Sequence, residues 1–334
     1  MKDRRSREIA GWVLKEFGLV IMAVLLVIVF TALNHDFLTF DNLVSIIEQN
    51  AALAIVAVGV TFTIIAGQFD LSPGSVVALS GVVLAVALRG SHSMAIALAA
   101  SLAVALACGL FNGVLLSYVG INSVIVTLAA MIWARGLALG ITRADSLPFT
   151  DPFVGFMNNR SLAGFSPIIV IVIVSYLIGW FMLNRTRLGR YTYALGGDVE
   201  ATKQAGVNTD FTKLLLFLLS GFFVWLATAV TTARMSAGAP NAVYGLEFDA
   251  IVAVIIGGSS MMGGEGSIRK TVVGVIFLSI LNNGLSTMGM RDSAFYLYKG
   301  AVILVALFFE VISRRALRAG AADQPARRRM RSAS

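Results

Sequence analysis

Apolar residues run through this chain in unbroken blocks, not at the spacing of a half-buried helix or strand. The blocks fall at about 17–33, 43–66, 74–88, 93–117, 121–141, 167–183, 213–235, 249–262, 271–288 and 294–313. Most are near the roughly 20 residues that carry a helix across a hydrocarbon core of about 30 Å. A helix that is apolar on every side belongs in protein or lipid, not in water. The pattern predicts an all-α polytopic membrane protein of about ten transmembrane helices. The blocks at 74–88 and 249–262 are short for a crossing, so tilted or re-entrant segments are expected there.

Composition agrees with the pattern. The chain has 334 residues, 57% hydrophobic and 13% charged, whereas soluble domains are about half apolar and a quarter charged. A single membrane domain is expected over 1–334. The start, "MKDRRSREIAGWVLKEFGLVIMAVLLVIVF", is basic and then apolar. Its apolar run is longer than that of a signal peptide and no small-x-small site follows, so it reads as an uncleaved first span.

The net charge of +8 would raise nucleic acid as a partner in a soluble protein. Here the lysines and arginines gather in the N-terminal segment, the loop 184–212, Arg269–Lys270 and the tail 314–334. The other side holds Arg89, Arg143, Arg160, Arg234 and Arg291. This asymmetry puts both termini in the cytoplasm. The tail then meets anionic lipid headgroups, and no nucleic-acid partner is expected. Cys108 is the one cysteine, and His35 and His92 are far apart, so neither an internal disulfide nor a metal site is expected.

Two pairs of stretches repeat in order. "FDLSPGSVVALSG" (69–81) resembles "FDAIVAVIIGGSS" (248–260), and "FNGVLLSYVGINS" (111–123) resembles "NNGLSTMGMRDS" (282–293). The spans around them match as two four-helix halves, 43–141 and 213–313, with one crossing between them. An odd crossing inverts the second half, which puts Asp70 near the inner face and Asp249 near the outer face. Inverted halves with the substrate path at their interface are a recurring transporter plan.

Several residues within this frame are candidates for chemistry. Asp70 and Asp249 stand where helices begin and suit helix caps. Pro73 fits a first helical turn. With Gly74, these residues mark helix breaks that act as ordinary helix starts or as a gate lining a cavity. Asn112, Asn122 and Asn283 read as interhelical glue or as hydrogen-bonding partners for a neutral polar solute. Arg135 and Lys299 lie inside spans and either snorkel outward or face the path. Trp133 and Trp225 are aromatic platforms or packing residues.

The longest inner loop, 184–212, contains "GGDVEATKQAG". Asp198 suits an N-cap, Glu200 the first turn and Gly206 the left-handed C′ position, so a short exposed helix is expected. It serves either as a surface connector or as a docking element for a cytoplasmic partner. "GGSSMMGGEGSIRKT" (257–271) is no phosphate loop, because Arg269 precedes Lys270 where glycine is needed. It reads as a close-packed inner turn or a second contact with that partner.

The stretches "AGQFDLSPGSVVALSG", "GLFNGVLLSYVGINSVIVTLAAMIWARGLAL", "YALGGDVEATKQAGVNTDFTKLLLF", "LEFDAIVAVIIGGSSMMGGEGS" and "LNNGLSTMG" together resemble the permease subunits of bacterial ATP-binding-cassette importers for ribose, xylose, arabinose and similar sugars. The resemblance runs from about residue 43 to 313. The family usually carries Gly-Gly-Ile-Asp-Leu-Ser-Val-Gly where this chain has residues 67–74, and Gln68, Phe69 and Pro73 depart from it. The resemblance implies a non-enzymatic translocation pathway in the bacterial inner membrane, without a cofactor. It implies a second permease subunit, a periplasmic sugar-binding protein and a cytoplasmic ATPase as partners. It makes the short helix a coupling helix, with Gly196, Gly197, Asp198, Glu200, Ala201, Gln204 and Gly206 facing the ATPase. The rival is an ion-coupled secondary transporter of a small polar solute, which needs carboxylates at mid-membrane. By sequence position Asp70, Asp249, Glu265 and Glu310 all stand near span ends.

Overall fold

The structure is a computed structural model that describes residues 2–161, 164–289, 294–305 and 308. Arg291, Glu310 and the tail 314–334, all singled out above, lie outside the described residues. The described residues are helical almost throughout and form an all-α polytopic membrane protein. Two compact units divide the chain, one of 1–42 with 276–334 and one of 43–275.

In the first unit, α1 (Lys2–Leu33) is followed by a 3-10 turn at His35–Leu38. Asn34 caps the turn by accepting the Asp36 N–H at 3.0 Å. Phe30 packs on Phe37 with ring centroids 5.4 Å apart, and a Cβ at Gly284 would collide with the Phe30 ring. Asn42 and Asn283 exchange amide hydrogen bonds of 3.1 Å, which satisfies two amides that lipid could not.

The second unit is built around α3 (Ala51–Ile65), which is bent by 48° from α2 (Phe40–Gln49). Nearly every α3 residue is buried, as its uniformly apolar sequence requires. Then follow α4 (Pro73–Ser91), α5 (Met94–Ser117) and α6 (Ser123–Thr142). After a short α7 (Pro152–Asn158) come α8 (Pro167–Arg185), α9 (Arg187–Gly197), α10 (Val199–Gln204) and α11 (Thr209–Met235). A bridge pairs β1 (Leu147–Pro148) antiparallel to β2 (Ala237–Gly238). Next is α12 (Leu246–Ile256), and α13 (Ile268–Thr287) starts in this unit and ends in the first.

Small residues let these helices approach. A Cβ at Gly109 or Gly221 would press on the Phe217 or Ala105 carbonyl, at 2.5 and 2.7 Å. Contacts this close join α5 to α11 by packing, the main attraction left between helices once lipid is the solvent. Trp225 of α11 donates its indole N–H to Leu98 O and Ser101 Oγ of α5, both at 3.1 Å. It is a strut between helices and not a free stacking platform.

Among the described residues, six helices are individually long and apolar enough to cross a membrane, and the bent α2–α3 pair makes a seventh. The block expected at 249–262 differs most from the sequence reading. Its helix, α12, has 11 residues, about 16 Å at 1.5 Å per residue. It stops at Gly257, where a Cβ would press on Lys270 O and Ala253 O at 2.5 and 2.9 Å.

Candidate functional site

The chain between α3 and α4 does not lie on the surface. Gly67 turns it at φ +72°, and Asp70 follows, 3% exposed. Its Oδ1 accepts the Ser72 N–H at 3.0 Å and the Ser72 hydroxyl at 2.6 Å. Its Oδ2 accepts the Ser220 hydroxyl at 2.8 Å, from well inside α11. Asn112 of α5 donates to Ser72 Oγ at 3.0 Å. From α6, Ser123 Oγ accepts the Phe69 N–H at 3.2 Å and Thr127 donates to Phe69 O at 3.3 Å. Irregular backbone buried in a membrane protein needs such partners, and here α5, α6 and α11 supply them.

This arrangement corrects three expectations. Asp70 is not the cap of α4: Ser72 precedes the helix, with Pro73 in its first turn. Asp249 is not a cap either, since Gly245 holds that place and Asp249 stands in the first turn of α12. Nor are the two breaks at opposite faces. The Glu247 carboxylate lies against Gly74, where a Cβ would collide with it, and Val243 O is 3.2 Å from that same point. The first turns of α4 and α12 therefore meet, and an acidic group sits at the positive end of α4. The sequence had marked the breaks but not that they face each other.

Arg135 decides the shape of the approach to α12. Its Nη1 donates to Pro240 O at 2.6 Å and Ala242 O at 3.1 Å, and its guanidinium lies 5.6 Å from the Tyr244 ring centroid. It turns inward and does not snorkel. Two carbonyls of unwound backbone would otherwise stay unpaired away from water, a larger penalty than holding one partly buried cation. Arg135→Met is expected to lower stability by about 2 kcal/mol, and Arg135→Lys to recover part of it, because a point charge reaches two carbonyls less well than a planar fork. Thermal unfolding of the detergent-purified variants measures this; a wild-type melting curve for Arg135→Met would refute it.

The remaining predicted polar residues disperse. Asn122 is exposed and caps α6, accepting the Val124 N–H at 2.9 Å. Asn283 belongs to the first unit and pairs with Asn42. Lys299 has its ammonium 5.7 Å from the Phe295 ring centroid. Asn112 alone of these joins the break at Asp70, and its Oδ1 is buried with no hydrogen-bond partner among the described residues. Sequence reasoning missed Ser72, Ser220 and Glu247. Ser220 carried one faint signal, a lone hydroxyl within an apolar run.

The second locus is the loop 184–212. Thr186 caps α9 by accepting the Gly189 N–H at 3.3 Å. Asp198 ends α9 and starts α10, its Oδ1 accepting the Ala201 N–H at 2.9 Å. Glu200 stands in the first turn, and Gly206 takes a φ of +83° just beyond the helix. Asn208 starts α11 by accepting the Phe211 N–H at 2.9 Å. Of the residues singled out here, Gly197, Asp198, Glu200, Ala201, Gln204 and Gly206 are exposed, while Gly196 is partly covered.

What covers Gly196 is the end of α3 and the loop 257–267. A Cβ at Gly196 would collide with Ile65 O and with Gly264 N. Gly264 N–H donates to Ile65 O at 2.8 Å, and the Tyr193 hydroxyl donates to Gly266 O at 2.8 Å. Burial pushes the Tyr193 phenol up, so it keeps its proton as a donor at neutral pH.

A multi-pass helical protein with paired, buried helix breaks and a capped helical loop has the build of a transport permease. The chain belongs to the family described as branched-chain amino acid transport system / permease component, which matches residues 42–307. It is 38% identical over 305 residues to the ribose import permease protein of Escherichia coli strain K12, covering 90% of this chain and 94% of that one. It is 34% identical over 295 residues to the D-allose transport system permease protein of the same strain, covering 87% and 90%. It is 31% identical over 315 residues to the L-arabinose ABC transporter permease protein of Azospirillum brasilense, covering 94% and 93%.

Proposed function

We propose that the chain forms the translocation pathway of an ATP-driven importer for a monosaccharide or related polyol. Similarity to permeases for ribose, allose and arabinose over 87% to 94% of the chain carries this reading. The partners are a second permease subunit, a periplasmic sugar-binding protein and a cytoplasmic ATPase. The chain crosses the bacterial inner membrane ten times: six long helices, the bent pair, Gly18–Leu33, the short α12, and Ala294–Val305. Both termini are cytoplasmic, by the lysine and arginine distribution. Residues 43–141 and 213–313 are inverted halves, each contributing one break, and the contact of Gly74 with Glu247 supports that pairing.

In this reading α10 is the coupling helix. Its Asp198 cap and the packing of the preceding α9 on α3 make it a rigid lever, and its exposed face meets the ATPase. The helix breaks at Asp70, Pro73, Gly74 and Asp249 form the gate, and the free Asn112 Oδ1 offers an acceptor to a sugar hydroxyl. The test is uptake of labelled ribose, allose and arabinose into proteoliposomes holding the whole importer. Accumulation of at least one sugar that requires ATP is expected. Glu200→Lys should reduce that uptake about tenfold, the scale of an impaired interface anchor, with normal expression; unchanged uptake would remove Glu200 from the coupling surface.

One observation favours the rival. The structure buries Asp70 and Glu247 beside the starts of α4 and α12, and an ion-coupled transporter needs buried carboxylates. Uptake in the same liposomes that follows an ion gradient without ATP would establish it.

A further inference from the structure

The loop 257–267 exposes two large apolar side chains on an otherwise polar and glycine-rich turn. Met261 is 53% exposed and Met262 is 89% exposed. Neither lies on a membrane-spanning helix, so lipid does not account for them. The loop is also fixed. Gly263 and Gly264 take φ of +87° and +75°, a region glycine enters at little cost. Gly264 is held to Ile65 and Gly266 to Tyr193 by the hydrogen bonds above. A Cβ at Gly263 would press on Gly196 backbone atoms and on Gly67 N, all at 2.9 Å. A Cβ at Gly264 would lie 3.3 Å from Gly197 N, one residue before the Asp198 cap of α10.

We propose that Met261 and Met262 are a second docking point for the ATPase subunit, continuous with the exposed face of α10. The proposal rests on the coupling role given to α10 above. Two physical facts carry it. A rigid mount spares the partner the entropy of ordering a loop, which is what makes an exposed anchor effective. Methionine is unbranched and polarisable, and it adapts to an apolar socket as that socket changes shape, as an ATPase does between its nucleotide states. The mount also has a mechanical consequence. The loop touches Gly67, which opens the segment leading to Asp70, and it directly follows α12, whose first turn holds Glu247. A push on the methionines therefore reaches both helix breaks through backbone contacts.

Cys108 is the chain's one cysteine and is buried, so Cys108→Ser gives a blank background. In the assembled importer, Met262→Cys and, separately, Glu200→Cys are labelled with a benzophenone maleimide and irradiated. Adducts are identified by mass. Adducts with the ATPase from both positions are expected. An ATPase adduct from Met262→Cys alone upholds this docking point and removes α10 from the interface. One from Glu200→Cys alone overturns the proposal and leaves the coupling helix standing. No ATPase adduct from either overturns both, and an adduct of Met262→Cys with lipid or with another copy of this chain overturns the proposal.

Discussion

Gly196→Ala is expected to destabilise the protein by about 3 kcal/mol, at the upper end for forced overpacking, and Gly196→Val to prevent its accumulation in the membrane. Gly197→Ala, one residue on, should leave the fold intact. The contrast follows from what each new Cβ meets. At Gly196 it runs into Ile65 O and Gly264 N, which are backbone atoms of two other segments. At Gly197 nothing lies within 4 Å. Backbone held by its own hydrogen bonds cannot swing aside as the tip of a side chain can, so α9 would have to lift from α3 and the loop 257–267 together. Packed interiors transmit such strain instead of absorbing it. Thermal unfolding followed by fluorescence-detected gel filtration reads the difference. A Gly196→Ala protein that melts with wild type would refute the close packing. Uptake separates the two glycines further: a large residue at Gly197 should fold normally and still impair transport, because its exposed position faces the ATPase in the proposed assembly.

Asp70→Ala is expected to cost about 3 kcal/mol, because it strips the acceptor from three buried donors at once. Those donors are the Ser72 N–H, the Ser72 hydroxyl and the Ser220 hydroxyl. Asp70→Asn should cost about 1 kcal/mol, since the amide keeps one acceptor oxygen and its NH2 can donate to Ser220 Oγ. The ordering alanine, asparagine, wild type is the prediction, measured by thermal unfolding in detergent. Equal melting of all three would show that the carboxylate contributes nothing to the break. Uptake by Asp70→Asn then bears on mechanism. An importer that uses Asp70 as a structural tie should keep most of its ATP-driven uptake. A transporter that moves protons through Asp70 should lose uptake while keeping its stability. Ser220→Ala combined with Asp70→Asn should be less than additive, because both changes act on one hydrogen bond.

The sequence was most legible where chemistry is local. Apolar blocks became helices because an uninterrupted run of Val, Leu, Ile and Ala leaves the backbone no partners in lipid but its own. The capped helix after Gly197 could be read residue by residue, since Asp198, Glu200 and Gly206 act within a turn or two of where they stand. It was least legible where a residue acts on a distant segment. Arg135 read as a cation seeking the surface, and it instead holds Pro240 and Ala242, more than a hundred positions away. Asn112 and Asn283 read as a matched pair, yet one joins the break at Asp70 and the other binds Asn42. Glu247 went unremarked because an acidic residue two before Asp249 has no local oddity.

The sequence by itself therefore determined the class of protein, its helices and the places where they break, because hydropathy, turn residues and caps are properties of short stretches. Tertiary structure decided which groups complete those breaks. Asp70 found Ser220, Glu247 found the first turn of α4, and Gly196 found Ile65 and Gly264. Each pairing joins segments that are far apart in the chain, and nothing in the local pattern of either segment names its partner. The physical reason is that a buried polar group must be satisfied by whichever neighbour the packing brings, and packing is fixed only when all the helices are in place.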